Sequence, residues 1–568
     1  MNAADYLTKF LIKKGVTEVF GIPGGVVLEF LYALNRQKKK IKCKLNFHEQ
    51  NSVFAANGYA RTTGKLGVAY ATRGPGVTNM MTAITDAYHD SVPLLIITGH
   101  SIRIPNNKMR IYADQEIDTK KIFSGITKYC ARIDDYRYFR YELEKACYLA
   151  LNNRKGPVLL DLNINLLNKK INFNNLKKFK IKNKKTNFSY QKATDIIVKK
   201  IKLSKRPVFL IGDGARYASK TNNFIKFFFQ KKIPIISSRF SQDIVANSKL
   251  FFGYIGTHGL RHANFILSKS DLIISLGNRM LFLNYKSKSF SEIFNKKSII
   301  RIEIDKAELS RKIKNCININ LDISKIMLNL LNKKLNYIEK NKWINDCKKI
   351  KLKLDKFDLT FPITKISNIL KILDKNYTIV SDVGNNEYWL SKAYNYSKCR
   401  SEILYSKSFG AMGCSIGKAI GAFYGTRKPV IAFIGDQSLQ MNIQELQYFT
   451  NNQIPVVLII LNNFSSGMIR SRQKLRYGEK FLHTTLETGY SLPSFKSISE
   501  AYKVKYHFIN NYNIEKIKKI LLKIKKPIIL ELKISSKIEA IPFLPKGEPI
   551  QKLKPLIKNK IFNTLEEI

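Results

Sequence analysis

Short apolar runs recur along the chain, and most of them end in glycine, proline or asparagine. The runs KPVIAFIG (428–435) and IPVVLIILNN (454–463) have the length of buried strands. Between them, apolar residues spaced three or four apart predict one helix with an apolar face. That face comprises Leu439, Ile443, Leu446 and Phe449. A strand, helix, strand unit of this kind has parallel strands.

Asp436 and Asn463 follow the two strands of this unit. The carboxyl ends of parallel strands share one edge of a sheet, and open parallel sheets bind ligands there. Carboxylate and amide oxygens suit Mg2+, which usually shares its shell with substrate phosphates. The pattern alone is equally compatible with Asp436 as a helix cap and Asn463 as the start of a turn.

The same alternation of strands and helices fills three blocks of the chain, and it predicts an α/β fold with three consecutive parallel-sheet domains. Two lysine-rich, weakly periodic stretches separate the blocks. The chain ends in a basic, proline-containing tail that we expect to wrap a surface. The predicted parts are 1–168, a linker at 169–190, 191–345, 346–535 and a tail at 536–568.

Length and composition are those of a multidomain protein without a membrane span. The 568 residues exceed what one core usually serves, and 45% of them are hydrophobic. The seven cysteines form no C-x-x-C pair, which favours reduced thiols in a cytoplasmic protein. The N-terminus lacks the continuous apolar stretch of an export signal, and no apolar run reaches the roughly 20 residues of a membrane helix.

The formal net charge of +56 raises the question of a nucleic-acid or anionic-membrane partner. The lysines are spread through stretches rich in Ile and Asn, without the interleaved aromatic residues of a base-stacking surface. A compositional drift of surface positions toward lysine explains the charge equally well. We therefore expect neither a nucleic-acid nor a membrane partner.

Four segments together resemble the thiamine-diphosphate-dependent enzymes typified by acetolactate synthase and pyruvate decarboxylase. They occur in that family's order, from the first α/β block to the third. The segments are FHEQNSVFAANGYARTTGK (47–65), ATRGPGVTNMMTAITDAYHDSVPLLIITG (71–99), SDVGNNEYW with SFGAMGCSIGKAIGA (381–389, 408–422), and the unit from GDQ to NN (435–463). The resemblance implies a pyrimidine-binding, a central and a diphosphate-binding domain.

The resemblance also implies a cofactor set. Mg2+ would be held by Asp436, by the side-chain oxygen of Asn463 and by the backbone carbonyl of Ser465, and it would hold the diphosphate of the cofactor. Gln437 departs from the family, which usually has Gly at that position. The other implied cofactor-binding residues are Gly25, Pro75, Asn79, Gly384, Asn385, Asn386, Met412, Gly435, Gln437, Ser438, Gly467 and Met468.

Glu49 corresponds to the family's catalytic glutamate. It follows KLNF, which has the pattern of a strand end, so we expect it to be partly buried. Burial would favour its protonated form, which can donate a hydrogen bond to the aminopyrimidine ring of the cofactor. A glutamate of this kind is otherwise most often a surface residue.

Other residues near the reacting centre follow from the same resemblance. Met412 corresponds to the apolar support that bends the cofactor, although a lone Met is more often core. Gln115 aligns with a glutamine that contacts reaction intermediates. Pro75, Thr78 and Asn79 would lie near the reacting centre, with Arg73 in place of a small residue. His48 and His89 are candidate proton-transfer helpers, to which we assign no role.

The central block resembles the flavin-binding stretch of acetolactate synthases at FFGYIGTHGLRHANFILSKSDLIISLGNRM (251–280), so FAD is an expected cofactor with a structural role. The positions that face the second substrate depart from that family. They are LFL at 281–283 for a D-D-R motif, Asn163 and Ile164 for Pro-Lys, Asp114 for Phe, and Arg472 for Trp.

These features leave three activities open. The chain would decarboxylate a 2-keto acid, which the resemblance implies is pyruvate, and transfer the two-carbon unit to a second keto acid, as an acetolactate synthase does. The alternatives are a carboligase that acts on a keto-sugar in surface polysaccharide synthesis, and a simple 2-keto-acid decarboxylase. A regulatory relative without activity, or a basic binding module, is the non-enzymatic alternative.

The resemblance further implies an assembly. In this family the glutamate and the diphosphate site of one centre come from different subunits. A homodimer would then be the minimal active form, a homotetramer is a further option, and a separate regulatory subunit is a possible partner.

Overall fold

The structure is a computed structural model, and it describes residues 1–104, 109–111, 113–181, 189–280, 294, 296–373, 376–397, 399–510 and 512–568. Its described strands form three sheets of six strands each. Every strand pair in these sheets is parallel. The predicted fold class, α/β with three consecutive parallel sheets, is confirmed.

The first sheet has the strand order β2-β1-β3-β4-β6-β5. Its strands are β1 Glu18–Gly21, β2 Lys42–Leu45, β3 Gly67–Tyr70, β4 Leu94–His100, β5 Tyr129–Ile133 and β6 Pro157–Asn163. The helices of this part are α1 Ala3–Lys13, α2 Leu28–Arg36, α3 Glu49–Thr63, α4 Pro75–Asn79, α5 Met81–Asp90, α6 Thr119–Phe123, α7 Tyr136–Leu151 and α8 Ile164–Leu167.

The second sheet has the strand order β12-β11-β10-β7-β8-β9. Its strands are β7 Pro207–Ile211, β8 Ile235–Ser238, β9 Phe251–Ile255, β10 Leu272–Leu276, β11 Ser298–Ile302 and β12 Cys316–Ile319. The helices are α9 Tyr190–Leu203, α10 Arg216–Ser219, α11 Asn222–Gln230, α12 Gln242–Val245, α13 Arg261–Lys269, α14 Lys306–Leu309, α15 Ile323–Leu331 and α16 Lys340–Leu354.

The third sheet has the strand order β14-β13-β15-β16-β18-β17. Its strands are β13 Thr378–Ser381, β14 Ile403–Leu404, β15 Val430–Gly435, β16 Val456–Asn462, β17 Lys505–Ile509 and β18 Ile528–Lys533. The helices that follow α16 along the chain are α17 Ile363–Ile372, α18 Asn385–Ser397, α19 Cys414–Thr426, α20 Asp436–Gln440, α21 Leu446–Asn451, α22 Gly467–Tyr477, α23 Phe495–Ala501, α24 Ile514–Leu521 and α25 Asn559–Glu566.

The chain divides into two compact units. The first comprises Met1–Lys182, Asn376–Glu387 and Ile403–Lys537, and so contains the first and third sheets. The second comprises Asn183–Lys375, Tyr388–Glu402 and Ile538–Ile568, and contains the second sheet. The candidate site residues that the sequence singles out all belong to the first unit.

Within the second unit, the lysine-rich stretch near 340 is a helix. Helix α16 runs through the position where the sequence places a domain boundary, 345/346. It is anchored by the buried Trp343, whose indole N–H donates to the carbonyl of Pro207 over 3.1 Å. The tail packs in the same unit, where Arg261 Nη1 donates to the carbonyl of Leu553 over 2.8 Å.

The predicted helix between β15 and β16 is in fact interrupted, so the expectation of one continuous helix is wrong. Helix α20 ends at Gln440, a single 3-10 turn covers Ile443–Glu445, and α21 begins at Leu446. Asn442 leaves the helical conformation with φ −143° and donates through Nδ2 to the carbonyl of Gly413 over 3.0 Å. This long-range hydrogen bond competes with the helix, as Asn side chains often do.

Helices α3 and α19 pack against each other at backbone distance. A Cβ added to Gly421 would lie 1.8 Å from the carbonyl oxygen of Ala55, and one added to Gly58 would lie 2.2 Å from the carbonyl oxygen of Lys418. Only glycine permits so close an approach. Gly425 likewise faces Thr62. From Gly417 beside Asn51 to Gly425 beside Thr62, the contacts advance in the same direction along both helices, so α3 and α19 are parallel and begin at the same end.

A buried ion pair accompanies this contact. Lys418 Nζ lies 2.8 Å from Asp86 Oδ2, and both side chains are fully buried. Asn57 Nδ2 also donates to Asp86 Oδ2, over 3.3 Å. A buried charge of this kind is tolerated only when it is paired and hydrogen-bonded, so the three side chains specify how α3, α5 and α19 fit together.

The described residues contain no disulfide, and all seven cysteines are free thiols. Among the described helices, none combines the length and the apolar character that a membrane span needs. The expectation of a cytoplasmic protein stays a prediction.

We predict that Gly421→Ala destabilises the first unit. Alanine normally favours a helix over glycine by about 1 kcal/mol, but here the new methyl group would overlap the carbonyl oxygen of Ala55. Overpacking of this kind typically costs about 1–3 kcal/mol or more, so we expect a lower urea midpoint for unfolding. The matched control is Gly125→Ala, because a Cβ at Gly125 meets no atom within 4 Å. Equal midpoints for the two variants would contradict the prediction.

Candidate active site

The carboxyl edge of the third sheet carries Asp436 and Asn463, as the sequence predicts. Gly435, the last residue of β15, pairs with Leu461 of β16, so the two side chains follow neighbouring strands at equivalent levels. Asp436, Asn463 and Ser465 are all buried. Their oxygens belong to one carboxylate, one amide and one backbone carbonyl, which is a donor set for a hard cation.

The two carboxylate oxygens of Asp436 differ in their hydrogen bonds to the described residues. Oδ1 accepts from the backbone N–H of Gln437 over 2.8 Å and from the hydroxyl of Tyr490 over 2.9 Å. Oδ2 is buried and has no hydrogen-bond partner among the described residues. A buried polar atom without a partner is rare in native proteins and calls for an explanation such as a bound ion.

Burial raises the pKa of Asp436, and the hydrogen bonds from Gln437 and Tyr490, together with the nearby N–H groups of Phe464 and Ser465, partly oppose that shift. The protein alone therefore does not fully compensate the buried negative charge. A divalent cation beside Oδ2 would reverse the effect, because an adjacent positive charge favours the carboxylate.

Tyr490 is a residue of this site that the sequence analysis missed. Its side chain is buried, and its hydroxyl donates to Asp436. Burial and the neighbouring carboxylate both raise the pKa of the phenol, which keeps it a hydrogen-bond donor. It lies 54 positions after Asp436 in a segment without regular structure, so no local pattern could have revealed it.

Asn385 and Gly467 complete the edge beside Asn463. The side-chain nitrogen of Asn385 is buried and has no partner among the described residues. A Cβ added to Gly467 would lie 2.6 Å from Nδ2 of both Asn385 and Asn463. The two amides therefore converge on the start of α22, where a free N–H donor and a helix N-terminus suit an anion.

Asn386, another of the implied cofactor-binding residues, uses its side-chain amide within the protein. Its Nδ2 donates to the carbonyls of Asp382, over 2.8 Å, and Phe433, over 3.4 Å. Both N–H groups of the amide are thus used to join the ends of β13 and β15. Gly384 precedes this residue with φ +126°, and its carbonyl accepts from the N–H of Glu387.

The remaining predicted residues of this edge lie at the N-terminal ends of helices α20 and α22. Gly435 is the N-cap of α20, Gln437 and the buried Ser438 lie in its first turn, and Met468 is half-buried in the first turn of α22. The Gln437 side chain thus stands in a turn where the family has glycine.

Met412 lies on a short loop held by a buried aspartate. Asp382 accepts from the backbone N–H groups of Val383, Gly413 and Ser415 over 2.8–2.9 Å. Met412 itself is 37% exposed, so it is not core filler. The loop that presents its thioether is fixed at the start of α19, while Asp382 had no assigned role in the sequence analysis.

The first sheet presents a second group of predicted residues around Glu49. Glu49 is the first residue of α3 and is half-buried. Its Oε2 accepts from Asn79 Nδ2 over 3.0 Å, and its Oε1 would lie 3.5 Å from a Cβ added to Gly76. The carboxyl group therefore contacts the G-P-G loop, with Pro75 at the start of α4 and exposed.

Gln115 lies against the other side of the same loop. A Cβ added to Gly74 would approach its backbone oxygen to 2.6 Å. Arg73 braces the segment: its Nη1 donates to Ser101 Oγ over 2.6 Å and to Glu116 Oε1 over 2.8 Å. The residue that departs from the family thus has a structural function, and Gln115 is exposed with a positive φ of 57°.

The other predicted residues of the first sheet show structural contacts. Thr78 donates to the carbonyl of Pro75, and Gly25 opens a 3-10 turn beside open space. His48 is the N-cap of α3, where its Nδ1 accepts from the N–H of Gln50 over 3.1 Å. His89 contacts the ring of Phe409. Neither histidine is placed here in a catalytic role.

The structure describes some of the residues that differ from acetolactate synthases at the positions facing the second substrate. Asn163 caps α8 and donates to Asp134 over 3.3 Å, while Ile164 is the first residue of that helix. Asp114 and Arg472 are exposed. The segment 281–283 lies outside the described residues.

The two groups of residues fit thiamine diphosphate and Mg2+ in their chemistry. The unpaired oxygen of Asp436 is complementary to a cation, and the unpaired amide of Asn385 to a phosphate oxygen. Among the described residues, no group of three or more His, Cys, Asp or Glu side chains is arranged so that it could hold a metal ion. In the described part of one chain, no hydrogen bond joins Glu49 to Asp436, Asn463 or Ser465.

We predict that Tyr490→Phe raises the Mg2+ concentration needed for half-maximal cofactor binding by about tenfold, because groups that orient a metal ligand typically contribute factors of about 10–100 in affinity. Titration with Mg2+, followed by intrinsic fluorescence in the presence of thiamine diphosphate, measures the change. Tyr138→Phe is the control, since Tyr138 lies 50% exposed on α7 of the first sheet. Equal Mg2+ requirements for both variants would exclude a role for the Tyr490 hydroxyl.

Comparison with known proteins finds family models over all three sheets. The models describe the N-terminal TPP binding domain of thiamine pyrophosphate enzymes at residues 1–122, the central domain at 194–330 and the C-terminal TPP binding domain at 382–532. Their order along the chain is the order of the three sheets.

Relatives match almost the full length. The chain is 31% identical to the acetolactate synthase large subunit of Lactococcus lactis, over 96% of this chain and 95% of the relative. It is 30% identical to the probable acetolactate synthase large subunit of Methanocaldococcus jannaschii, over 100% and 98%. It is 31% identical to the chloroplastic acetolactate synthase of Arabidopsis thaliana, over 85% and 73%. With three parallel sheets in the order of the three family models, and relatives along almost its whole length, the chain belongs to the thiamine-pyrophosphate-dependent enzymes of the acetolactate synthase family.

Proposed function

We propose that the protein decarboxylates a 2-keto acid, pyruvate, and transfers the resulting two-carbon unit to a carbonyl acceptor, with thiamine diphosphate and Mg2+ as cofactors. Formation of acetolactate from two pyruvate molecules is the first candidate. One observation carries the proposal: in a chain related to acetolactate synthase large subunits, Asp436 keeps a buried carboxylate oxygen without a partner among the described residues, at the sheet edge that also carries Asn463.

The residues at the edge of the third sheet would hold the diphosphate end. Asp436 Oδ2, the side-chain oxygen of Asn463 and the carbonyl of Ser465 would ligate Mg2+, and the metal would bridge to the phosphates. The unpaired N–H groups of Asn385 would donate to a phosphate oxygen. Tyr490 would keep the Asp436 carboxylate in the orientation that leaves Oδ2 free for the metal.

Thiamine diphosphate, when bound, supplies the electron sink for decarboxylation. Glu49 would hold a proton against the aminopyrimidine ring of the cofactor, and Asn79 fixes one of its two oxygens. The other oxygen, Oε1, then remains for that hydrogen bond. Met412, on its anchored loop, would support the cofactor from its apolar side, and Gln115 beside Gly74 would contact the substrate.

A second candidate is transfer to a keto-sugar in surface polysaccharide synthesis. Two exposed polar residues favour it, since Asp114 and Arg472 stand where acetolactate synthases have Phe and Trp. Polar and charged side chains are better suited to hydroxyl groups than the aromatic residues they replace. Simple decarboxylation, with protonation in place of transfer, is the outcome if neither acceptor is used.

The assembly follows from the family arrangement. We propose a homodimer, or a homotetramer built from it, in which Glu49 of one subunit faces the Mg2+ site of the next. Two of the relatives are named as large subunits, which supports a test for a smaller regulatory partner. FAD in the central domain and a cytoplasmic location stay predictions.

Product analysis tests the proposed activity. Purified protein is incubated with thiamine diphosphate, Mg2+ and pyruvate, alone and with keto-sugars, and the products are identified by mass. We expect carbon dioxide and acetolactate from pyruvate alone. A sugar adduct formed in preference to acetolactate would favour the second candidate, and acetaldehyde as the main product would favour simple decarboxylation. No release of carbon dioxide under any of these conditions would overturn the proposal.

We predict that Glu49→Gln nearly abolishes turnover while the affinity for thiamine diphosphate stays within about tenfold, or about 1.4 kcal/mol. Glutamine keeps the size of the side chain and its acceptor for Asn79, but it cannot exchange a proton with the cofactor. Turnover is measured as carbon dioxide release, and affinity by fluorescence titration. Glu29→Gln on α2 is the control. Wild-type turnover in Glu49→Gln would show that the glutamate assignment is wrong.

A further inference from the structure

Glu445 is a fully buried carboxyl group outside the residues of the candidate active site. It ends the 3-10 turn Ile443–Glu445, which follows the helix that begins at Asp436. Its Oε1 accepts from the backbone N–H of Phe47 over 2.8 Å and from that of His48 over 3.1 Å. Its Oε2 accepts from Asn46 Nδ2 over 3.1 Å. One side chain from the connection between β15 and β16 thus binds three consecutive residues in the connection between β2 and α3.

These three residues form the connection from β2 to α3, immediately before Glu49. His48 is the N-cap of α3, and its own ring accepts from the N–H of Gln50. Phe47 and His48 donate N–H groups that precede the helix and have no partner within it. The Glu445 carboxylate therefore satisfies both donors and fixes the direction in which α3 begins.

A second contact supports the same end of the helix. Gln50 Nε2 donates to Asn442 Oδ1 over 3.4 Å, and Asn442 is the residue that interrupts the predicted helix between β15 and β16. The 3-10 turn 443–445 would not form if that helix were continuous. The interruption therefore directs Glu445 toward the start of α3.

The burial of Glu445 has an energetic cost that a purely apolar contact would avoid. Burial raises the pKa of this carboxyl to about 7, while the hydrogen bonds from Asn46, Phe47 and His48 oppose the shift. An apolar residue of similar size would leave the N–H groups of Phe47 and His48 without partners, which is unfavourable for buried donors. A buried carboxyl group is therefore suited to accepting the hydrogen bonds of the residues that precede α3.

We propose that Glu445 is a positioning residue for the catalytic glutamate: by binding the backbone of Phe47 and His48, it sets where Glu49 stands at the start of α3. The inference rests on the proposed role of Glu49 toward the cofactor. Glu445 acts through the backbone and does not itself touch the substrate.

Glutamine and alanine at this position separate the hydrogen bonds from the charge. In Glu445→Gln, Oε1 can still accept from Phe47 and His48. Its new N–H group would face Asn46, whose Oδ1 is buried without a partner among the described residues and can accept after rotation of the amide. Glu445→Ala removes every acceptor. The conservative variant should therefore rescue what alanine loses.

Amide hydrogen exchange of the cofactor-free protein tests the positioning directly. We expect the amides of residues 46–50 to exchange at least about tenfold faster in Glu445→Ala, as loss of about 1.4 kcal/mol of protection requires. Glu445→Gln should stay within about threefold of wild type, and peptides from α7 should not change in either variant. Glu500→Ala, at an exposed position, is the control.

Steady-state kinetics with thiamine diphosphate, Mg2+ and pyruvate provide the second measurement. We expect kcat of Glu445→Ala to fall about a hundredfold, the loss that a misplacement of about 1 Å can cause. The concentration of thiamine diphosphate at half saturation should change little, since Glu445 binds no part of the diphosphate site. Glu445→Gln should keep most of the wild-type kcat.

Unchanged exchange at residues 46–50 in Glu445→Ala would overturn the proposal. Equal losses of kcat in the alanine and glutamine variants would also overturn it, since the hydrogen bonds would then not be what matters. If Glu445→Ala fails to fold, Glu445→Asp, whose carboxylate is withdrawn by one methylene, must show the same faster exchange or the proposal fails. An inactive wild-type enzyme would contradict the proposed function instead. The hydrogen-exchange measurement needs no activity, so it would still test whether Glu445 fixes residues 46–50.

Discussion

The close contact between α3 and α19 is the constraint on which the candidate site depends. Where Gly421 meets Ala55 and Gly58 meets Lys418, the two backbones approach so closely that no side chain fits between them. Such packing has little freedom to slide, because interiors are close-packed and tolerate few voids or overlaps. The helices run parallel, so Glu49 at the start of α3 and the Met412 loop before α19 lie at the same end of the pair.

The buried polar groups around this contact give it specificity. Lys418 and Asp86 form an ion pair inside the interface, and Asp382 holds the turn that leads into α19. Each of these charges would be unfavourable without its partners. The register of α3 on α19 is therefore fixed by polar groups as well as by shape, and Glu445 adds a further link at the helix start.

Local sequence patterns predict the fold and the edge where Asp436 and Asn463 lie, because strand periodicity and turn residues act over a few positions. They do not predict the break at Asn442, which depends on Gly413, or the hydrogen bonds of Glu445, whose partners are almost 400 positions away. Tyr490 was missed for the same reason. The resemblance to a family supplied Glu49 and Gln115, whereas Asn163 and Arg73, which depart from it, have structural contacts that only the fold reveals.

The segment from Asp436 to Glu445 has one end at the candidate metal site and the other on the backbone that carries Glu49. Free-energy coupling between two sites is reciprocal. To the extent that a cation at Asp436 orders this short segment, it also favours the native start of α3, and an ordered α3 strengthens the affinity for the cation by the same factor. In the proposed homodimer, where Glu49 would face the Mg2+ site of the partner subunit, such coupling would link the occupancy of the two centres.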